Sequence, residues 1–152
     1  MTRIPISARP SSPLPHRIGT LLVAFGLAAA TAYVLAFNPT DTNPDPTGPC
    51  MFHVLFDING PACGGTRMYW YLIHGDLIQA FRHNPVALIA FPPAAYGLVW
   101  WTTWAWSGKR LPALRIPASI YIAYGVIGLV FLLVLRNLPS GPFTWFNIPY
   151  LG

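Results

Sequence analysis

Two cysteines, Cys50 and Cys63, three histidines near them, His53, His74 and His83, and Arg67, set in the run "NGPACGGTR", are the side chains whose types invite chemistry in this 152-residue chain. A thiol pair can serve as a redox couple, a metal donor set or a cross-link. The redox use lacks its basic part, because no Cys-x-x-Cys occurs. Zinc would draw on two thiols and His53, three ligands where structural sites want four. A cross-link needs only that both thiols share an oxidising side, and closing the loop between them would stabilise the fold by roughly 3 kcal/mol in the chain-entropy model. The expectation is a structural disulfide, with two buried free thiols or a metal site as the alternatives.

The histidines raise a haem or quinone reading, but a bis-His haem needs two of them facing each other, and all three fall outside the apolar runs. Surface histidines satisfied by water or headgroups are expected instead. Arg67 follows a glycine-rich turn and is the only positive charge between Pro49 and Arg82. Its guanidinium can reach backbone carbonyls or a carboxylate such as Asp57 or Asp76, either as a loop-organising ion pair or as a partner contact.

The elements that must position these residues are membrane-like. Hydrophobic residues make up 54% of the chain and charged residues 9%, which excludes an ordinary soluble domain. Three runs free of Asp, Glu, Lys and Arg, Ile18 to Thr40, Asn84 to Gly108 and Ile116 to Leu135, each exceed or match the about 20 residues that cross a hydrocarbon core. The first follows Arg3, Arg9 and Arg17 and could pass for a secretory signal. It is too long for a cleaved apolar region and ends in no small-x-small site, so it reads as a retained helix. With the N-terminus cytoplasmic, the inner side holds Lys109, Arg110 and Arg115 as well, and the outer side holds Arg67, Arg82 and Arg136 with all four acids, Asp41, Asp45, Asp57 and Asp76. That asymmetry follows the positive-inside rule and places the C-terminus outside. The net charge of +5 therefore reports topology and anionic lipid, and no basic stripe with interleaved aromatics points to nucleic acid.

The expected architecture is an all-α integral membrane protein with three transmembrane helices and two short interfacial helices in the first outer loop. Its parts are a proline-rich cytoplasmic arm at 1–17, a first span at 18–38, an outer loop at 39–84, a second span at 85–107, a basic cytoplasmic loop at 108–116, a third span at 117–135 and an outer apolar tail at 136–152. In the loop, Gly64 and Gly65 give freedom to turn into a helix capped by Thr66, and His74-Gly75 interrupts it. Asp76 with Gln79 reads as a capping box opening the second short helix, with Leu77, Ile78 and Phe81 on its apolar face and Gln79, Arg82 and His83 on the other. Asn84 caps and Pro85 opens the second span, where Pro92-Pro93 should kink the helix. Trp100, Trp101, Trp104 and Trp106 form an interfacial belt, Gly125 and Gly128 let another helix approach, and Trp145 and Phe146 sit in a tail suited to lipid or a partner subunit.

The run from Cys50 through "GPACGGTR", "HGD" and "RHNP" resembles a bacterial family of small three-helix membrane proteins of unknown function. Its signature is a first Cys, then Cys-Pro-x-Cys-Gly-x-Thr-Arg, then His-Gly-Asp and Asn-Pro. Residue by residue the resemblance picks Cys50, Pro61, Cys63, Gly64, Thr66, Arg67, His74, Gly75, Asp76, Asn84 and Pro85. This sequence departs at Gly60, where the pattern has its middle cysteine, which leaves an even pair of thiols. The resemblance implies no catalytic activity and no cofactor. Some relatives look like accessory subunits of the cytochrome bcc-oxidase respiratory supercomplex, which implies a bacterial plasma membrane location and membrane-subunit and lipid partners. The rival expectation is a thiol- or metal-dependent membrane enzyme using the outer Cys/His loop. A carrier or channel role is disfavoured because no apolar run contains an interior His, Asp, Glu, Lys or Arg.

Overall fold

In a computed structural model the protein is all-helical, and residues 14–46, 48 and 50–147 are described. Six α-helices follow in order: α1 (Leu14–Phe37), α2 (Met51–Phe56), α3 (Gly65–Ile73), α4 (Leu77–His83), α5 (Pro85–Ser107) and α6 (Ala118–Leu133), then two 3-10 turns, Leu135–Asn137 and Gly141–Phe146. No strand occurs among the described residues. Three helices are long and apolar enough to cross a membrane: α1, α5 and the continuous stretch Ala118–Asn137. At 1.5 Å per residue the 24 residues of α1 reach about 36 Å.

Local chemistry sets the ends. α1 stops at Asn38, which takes a left-handed φ of 48° and returns its N–H to the Val34 carbonyl, and Pro39 cannot continue the helix. α5 opens as its sequence indicates: the Asn84 side chain accepts from the Ala87 N–H at 3.0 Å, and Pro85 occupies the first turn, where its missing N–H costs nothing. It runs unbroken through Pro92 and Pro93 and ends on Gly108 at φ 64°.

Several boundaries differ from expectation. The first helix starts at Leu14, so Leu14 to Arg17 are helical and not part of the arm; the rest of the arm, residues 1–13, lies outside the described residues. The outer loop carries three short helices, because α2 forms directly after Cys50 with no side-chain cap to announce it. Thr66 is not a cap. Gly64, at φ 79°, is the N-cap of α3, so glycine geometry does what a hydroxyl was expected to do.

The spans pack sparsely. α1 and α5 run antiparallel, joined near one end by Arg17 Nε donating to the Ala105 carbonyl (3.1 Å), Trp106 Nε1 donating to Thr20 Oγ1 (3.0 Å) and Trp101 packed on Gly19, where a Cβ would lie 2.9 Å from the ring. Near the other end Thr31 Oγ1 and the Tyr69 hydroxyl are 2.7 Å apart. α6 meets α5 where Gly128 lies against Val86 and the Tyr124 hydroxyl donates to the Val86 carbonyl. Polarity is inverted relative to a soluble protein: large apolar side chains such as Phe25, Ile78 and Ile127 are exposed, while Arg67, His83, Asn84 and Arg136 are buried.

Candidate functional site

The cysteine loop is cross-linked. Cys50 and Cys63 form a disulfide that closes α2 against the start of α3, and Cys63 Sγ accepts the Gly60 N–H at 3.0 Å. A Cβ at Gly60 would fall 2.4 Å from the Phe52 ring, so Phe52 fills the place where the resembled pattern has a third cysteine. Asn84 ties this loop to α5 by donating its Nδ2 to the Pro61 carbonyl at 3.1 Å. Among the described residues no group of three His, Cys, Asp or Glu is placed to hold a metal ion.

Beside the disulfide lies a polar cluster that local sequence reading did not assemble. Asp41, just beyond α1, faces three side chains: Arg82 Nη1 at 2.6 Å, Arg67 Nη1 at 3.5 Å and His83 Nε2 at 3.3 Å from its carboxylate oxygens. The carboxylate that Arg67 faces is therefore Asp41, and the expected carboxylates Asp57 and Asp76 serve elsewhere: Asp57 lies 3.5 Å from His53, and Asp76 caps α4 by accepting the Gln79 N–H at 3.0 Å. Only that half of the capping box forms, since the Asp76 N–H goes to the Tyr71 carbonyl and the Gln79 amide oxygen takes a long bond from Arg82. Arg136, at the end of the third span, is fully buried and donates to the Phe146 carbonyl (3.0 Å) and the Cys63 carbonyl (3.0 Å). It thus links the tail to the disulfide loop.

His83 corrects the expectation of a solvated histidine. It is 0% exposed and stacks in parallel on Tyr71, ring centroids 5.2 Å apart. The two faces of α4 are those expected: Leu77 and Ile78 are exposed and Phe81 packs on Phe146, while the polar side with Arg82 and His83 turns into the protein. Burial pushes the His83 pKa down from 6.5 to about 4. Asp41 opposes that shift, and Arg67, Arg82 and Arg136 reinforce it. The ring is therefore neutral at pH 7, and neither of its nitrogens has a hydrogen-bond partner. Asp41 is thus shared between the Arg67 and Arg82 guanidiniums beside a neutral ring. A neutral imidazole beside a carboxylate can accept a proton, but a ring with no exposed surface offers it to no substrate.

The remaining residues singled out above are spread over the molecule. His74 stacks on Trp70 at 3.9 Å and approaches its carbonyl at the exposed end of α3, and Gly75 makes the left-handed turn into α4 at φ 79°. Trp100, Trp101 and Trp104 sit at the far end: Trp100 donates to the Leu111 carbonyl, while Trp101 and Trp104 enclose the His16 ring. This belt packs α1 and the α5–α6 loop onto α5. Gly128 likewise serves contact within the chain, whereas Gly125 has open space around it. Trp145 gives its carbonyl to Arg82, and Phe146 stacks edge-on with Phe81 and Phe131. Residues 148–152 of the tail lie outside the described residues.

What sequence reasoning missed is the grouping of Asp41 with Arg67, Arg82 and His83, and the burial of His83 and Arg136. The signal available was the conjunction of charges in an otherwise uncharged chain, which composition shows and local periodicity does not.

Residues 50–98 match the model of a family described as protein of unknown function (DUF2752). The DUF2752 match runs from the first cysteine to the middle of α5, so it takes in the disulfide, Arg67, Arg82 and His83 and leaves out Asp41 and Arg136. No curated protein and no solved structure matches the chain.

Proposed function

We propose that this chain is a non-catalytic accessory subunit of a larger membrane complex, with no cofactor of its own. The observation that carries this reading is the bare lateral surface of the spans: in the most apolar stretch of each, only 11%, 0% and 11% of residues are buried within the protein. Three helices that scarcely pack on one another have their sides left to lipid or to other helices. The resemblance stated above points further, to a respiratory cytochrome bcc-oxidase assembly in a bacterial plasma membrane, and the charge asymmetry of the loops points to a cytoplasmic N-terminus and an outer C-terminus. The rival reading, a thiol- or metal-dependent enzyme, loses support because the disulfide occupies both thiols.

Purification of the tagged chain in mild detergent, with identification of co-eluting subunits, tests the proposal. Gly125→Leu sharpens it, because a Cβ at this exposed helical position meets nothing within 4 Å. The substitution should leave the isolated chain folded and reduce co-elution if a partner helix approaches there. A chain that elutes alone from gently solubilised membranes would overturn the accessory reading.

A further inference from the structure

We propose that α2 is a surface anchor, with Met51, Val54, Leu55 and Phe56 seated among the lipid headgroups and upper acyl chains that surround the end of the third span. These four side chains are each 58% to 67% exposed. The other two residues of the helix are held closer to the protein: Phe52 lies against Gly60, and the His53 side chain is 21% exposed beside Asp57. At about 100° per residue, Met51, Val54 and Leu55 gather on one side of the helix and His53 falls on the other, so the outward face is apolar. Both ends of that face are pinned. Cys50, immediately before α2, is bonded to Cys63, and Asn59, three residues beyond Phe56, exchanges reciprocal hydrogen bonds with Asn137. The cross-link and the asparagine pair therefore present the apolar side chains outward and hold them there, an arrangement that calls for an apolar phase to receive them.

Depth decides which phase that is. Asn137 is the last residue of the 20-residue stretch Ala118–Asn137, which at 1.5 Å per residue is about 30 Å long and matches the thickness of a hydrocarbon core. Asn137 therefore stands at the edge of the hydrocarbon, and its bonds to Asn59 hold the C-terminal end of α2 at the same level. Six helical residues extend only about 9 Å, so the whole helix stays within the boundary layer, where amphipathic helices bury their apolar faces by about 5 to 10 Å. Lipid of the same membrane is thus the apolar phase that already surrounds this level of the protein. The segment 50–66 contains no Lys or Arg, so the anchor holds by apolar contact and is indifferent to headgroup charge. Asp57, which ends the helix with its side chain 96% exposed, marks the water side.

The test places the full chain in phosphatidylcholine nanodiscs with a fluorescent amino acid at Leu55, Asp57 or Ile127, and reads its quenching by lipids brominated either near the headgroup or near the bilayer centre. Bromine near the headgroup should remove about half of the emission at Leu55, and bromine near the centre far less. At Ile127, exposed in the middle of the third span, the order should reverse. Asp57 lies about 200° round the helix from Leu55 and should be quenched less than half as strongly by either lipid. Replacing part of the phosphatidylcholine by phosphatidylglycerol should leave the Leu55 signal unchanged. The same probe at Met51 repeats the measurement should the Leu55 variant misfold. Quenching at Leu55 no stronger than at Asp57, strongest quenching there by the central bromines, or a signal that appears only with phosphatidylglycerol would overturn the proposal. In cells, a photo-cross-linking residue at Leu55 should give a lipid adduct, and a protein adduct, whether with another subunit or a second copy, would overturn it as well. The nanodisc measurements use the isolated chain, so their failure leaves the accessory reading standing, and failure of co-elution leaves the anchor intact.

Discussion

Acidification should unfold this protein through His83. In the native state the ring is buried against Tyr71 and flanked by three guanidiniums, which hold its pKa near 4 against an ordinary value of 6.5. The unfolded chain therefore takes up a proton first as pH falls. The stability that the neutral ring contributes is complete above about pH 6.5 and is lost progressively toward pH 4. Between pH 7 and pH 5 the loss works out at about 2 kcal/mol, or roughly 4 to 8 °C in Tm for a chain of this size. Thermal unfolding in detergent at the two pH values, compared with His83→Phe, measures it. Phenylalanine keeps the stack on Tyr71 and cannot protonate. If the two proteins show the same change in Tm between pH 7 and pH 5, protonation of His83 is not opposed by the fold, and the account of the cluster fails.

Three further outcomes are expected. Cys50→Ser or Cys63→Ser should lower stability by about 3 kcal/mol in denaturant unfolding, with reductant doing the same to the native protein alone; an unchanged midpoint would show that the cross-link constrains nothing. Gly128→Ala should destabilise by about 1 to 3 kcal/mol because its methyl meets Val86, while Gly125→Ala should be neutral or slightly stabilising, and reversed signs would misplace α6. Asp41→Asn removes the carboxylate shared by Arg67, Arg82 and His83, so it should cost about 1 to 3 kcal/mol and drive the His83 titration still lower; unchanged unfolding would mean that the cluster is held elsewhere.

The parts of this fold that could be read from the sequence are those governed by neighbours within a turn or two. Asn84-Pro85 and Asp76 declare their helix starts because a cap acts over three residues, and the three apolar runs declare themselves by length. α2 did not, since six residues, five of them apolar, without a side-chain cap carry no start signal. Thr66 misled because glycine at positive φ competes with a hydroxyl for the same task. The polar cluster was invisible for a different reason. Asp41 and Arg82 are separated by 41 positions, and the Arg136 contact with Cys63 spans 73, so only tertiary packing brings them together. The disulfide was inferable from side and count, whereas the burial of His83 depended on which face of α4 turned inward.

The clasp between the cysteine loop and the segment after the third span bears on how the protein is made. Asn59 and Asn137 exchange reciprocal bonds, the Asn59 N–H to Asn137 Oδ1 at 2.7 Å and Asn137 Nδ2 to the Asn59 carbonyl at 3.1 Å, beside the Arg136 contact with the Cys63 carbonyl. A ribosome delivers residue 136 roughly 4 to 15 s after residue 63. Throughout that interval the loop lacks its Arg136 and Asn137 partners, and the carbonyls of Asn59 and Cys63 must be met by water. Closure of the Cys50–Cys63 ring during the wait would keep the loop from wandering until the late-arriving arginine and asparagine latch it. The cross-link then acts as a placeholder in time: it preserves an early-made shape for a contact that the chain has not yet synthesised.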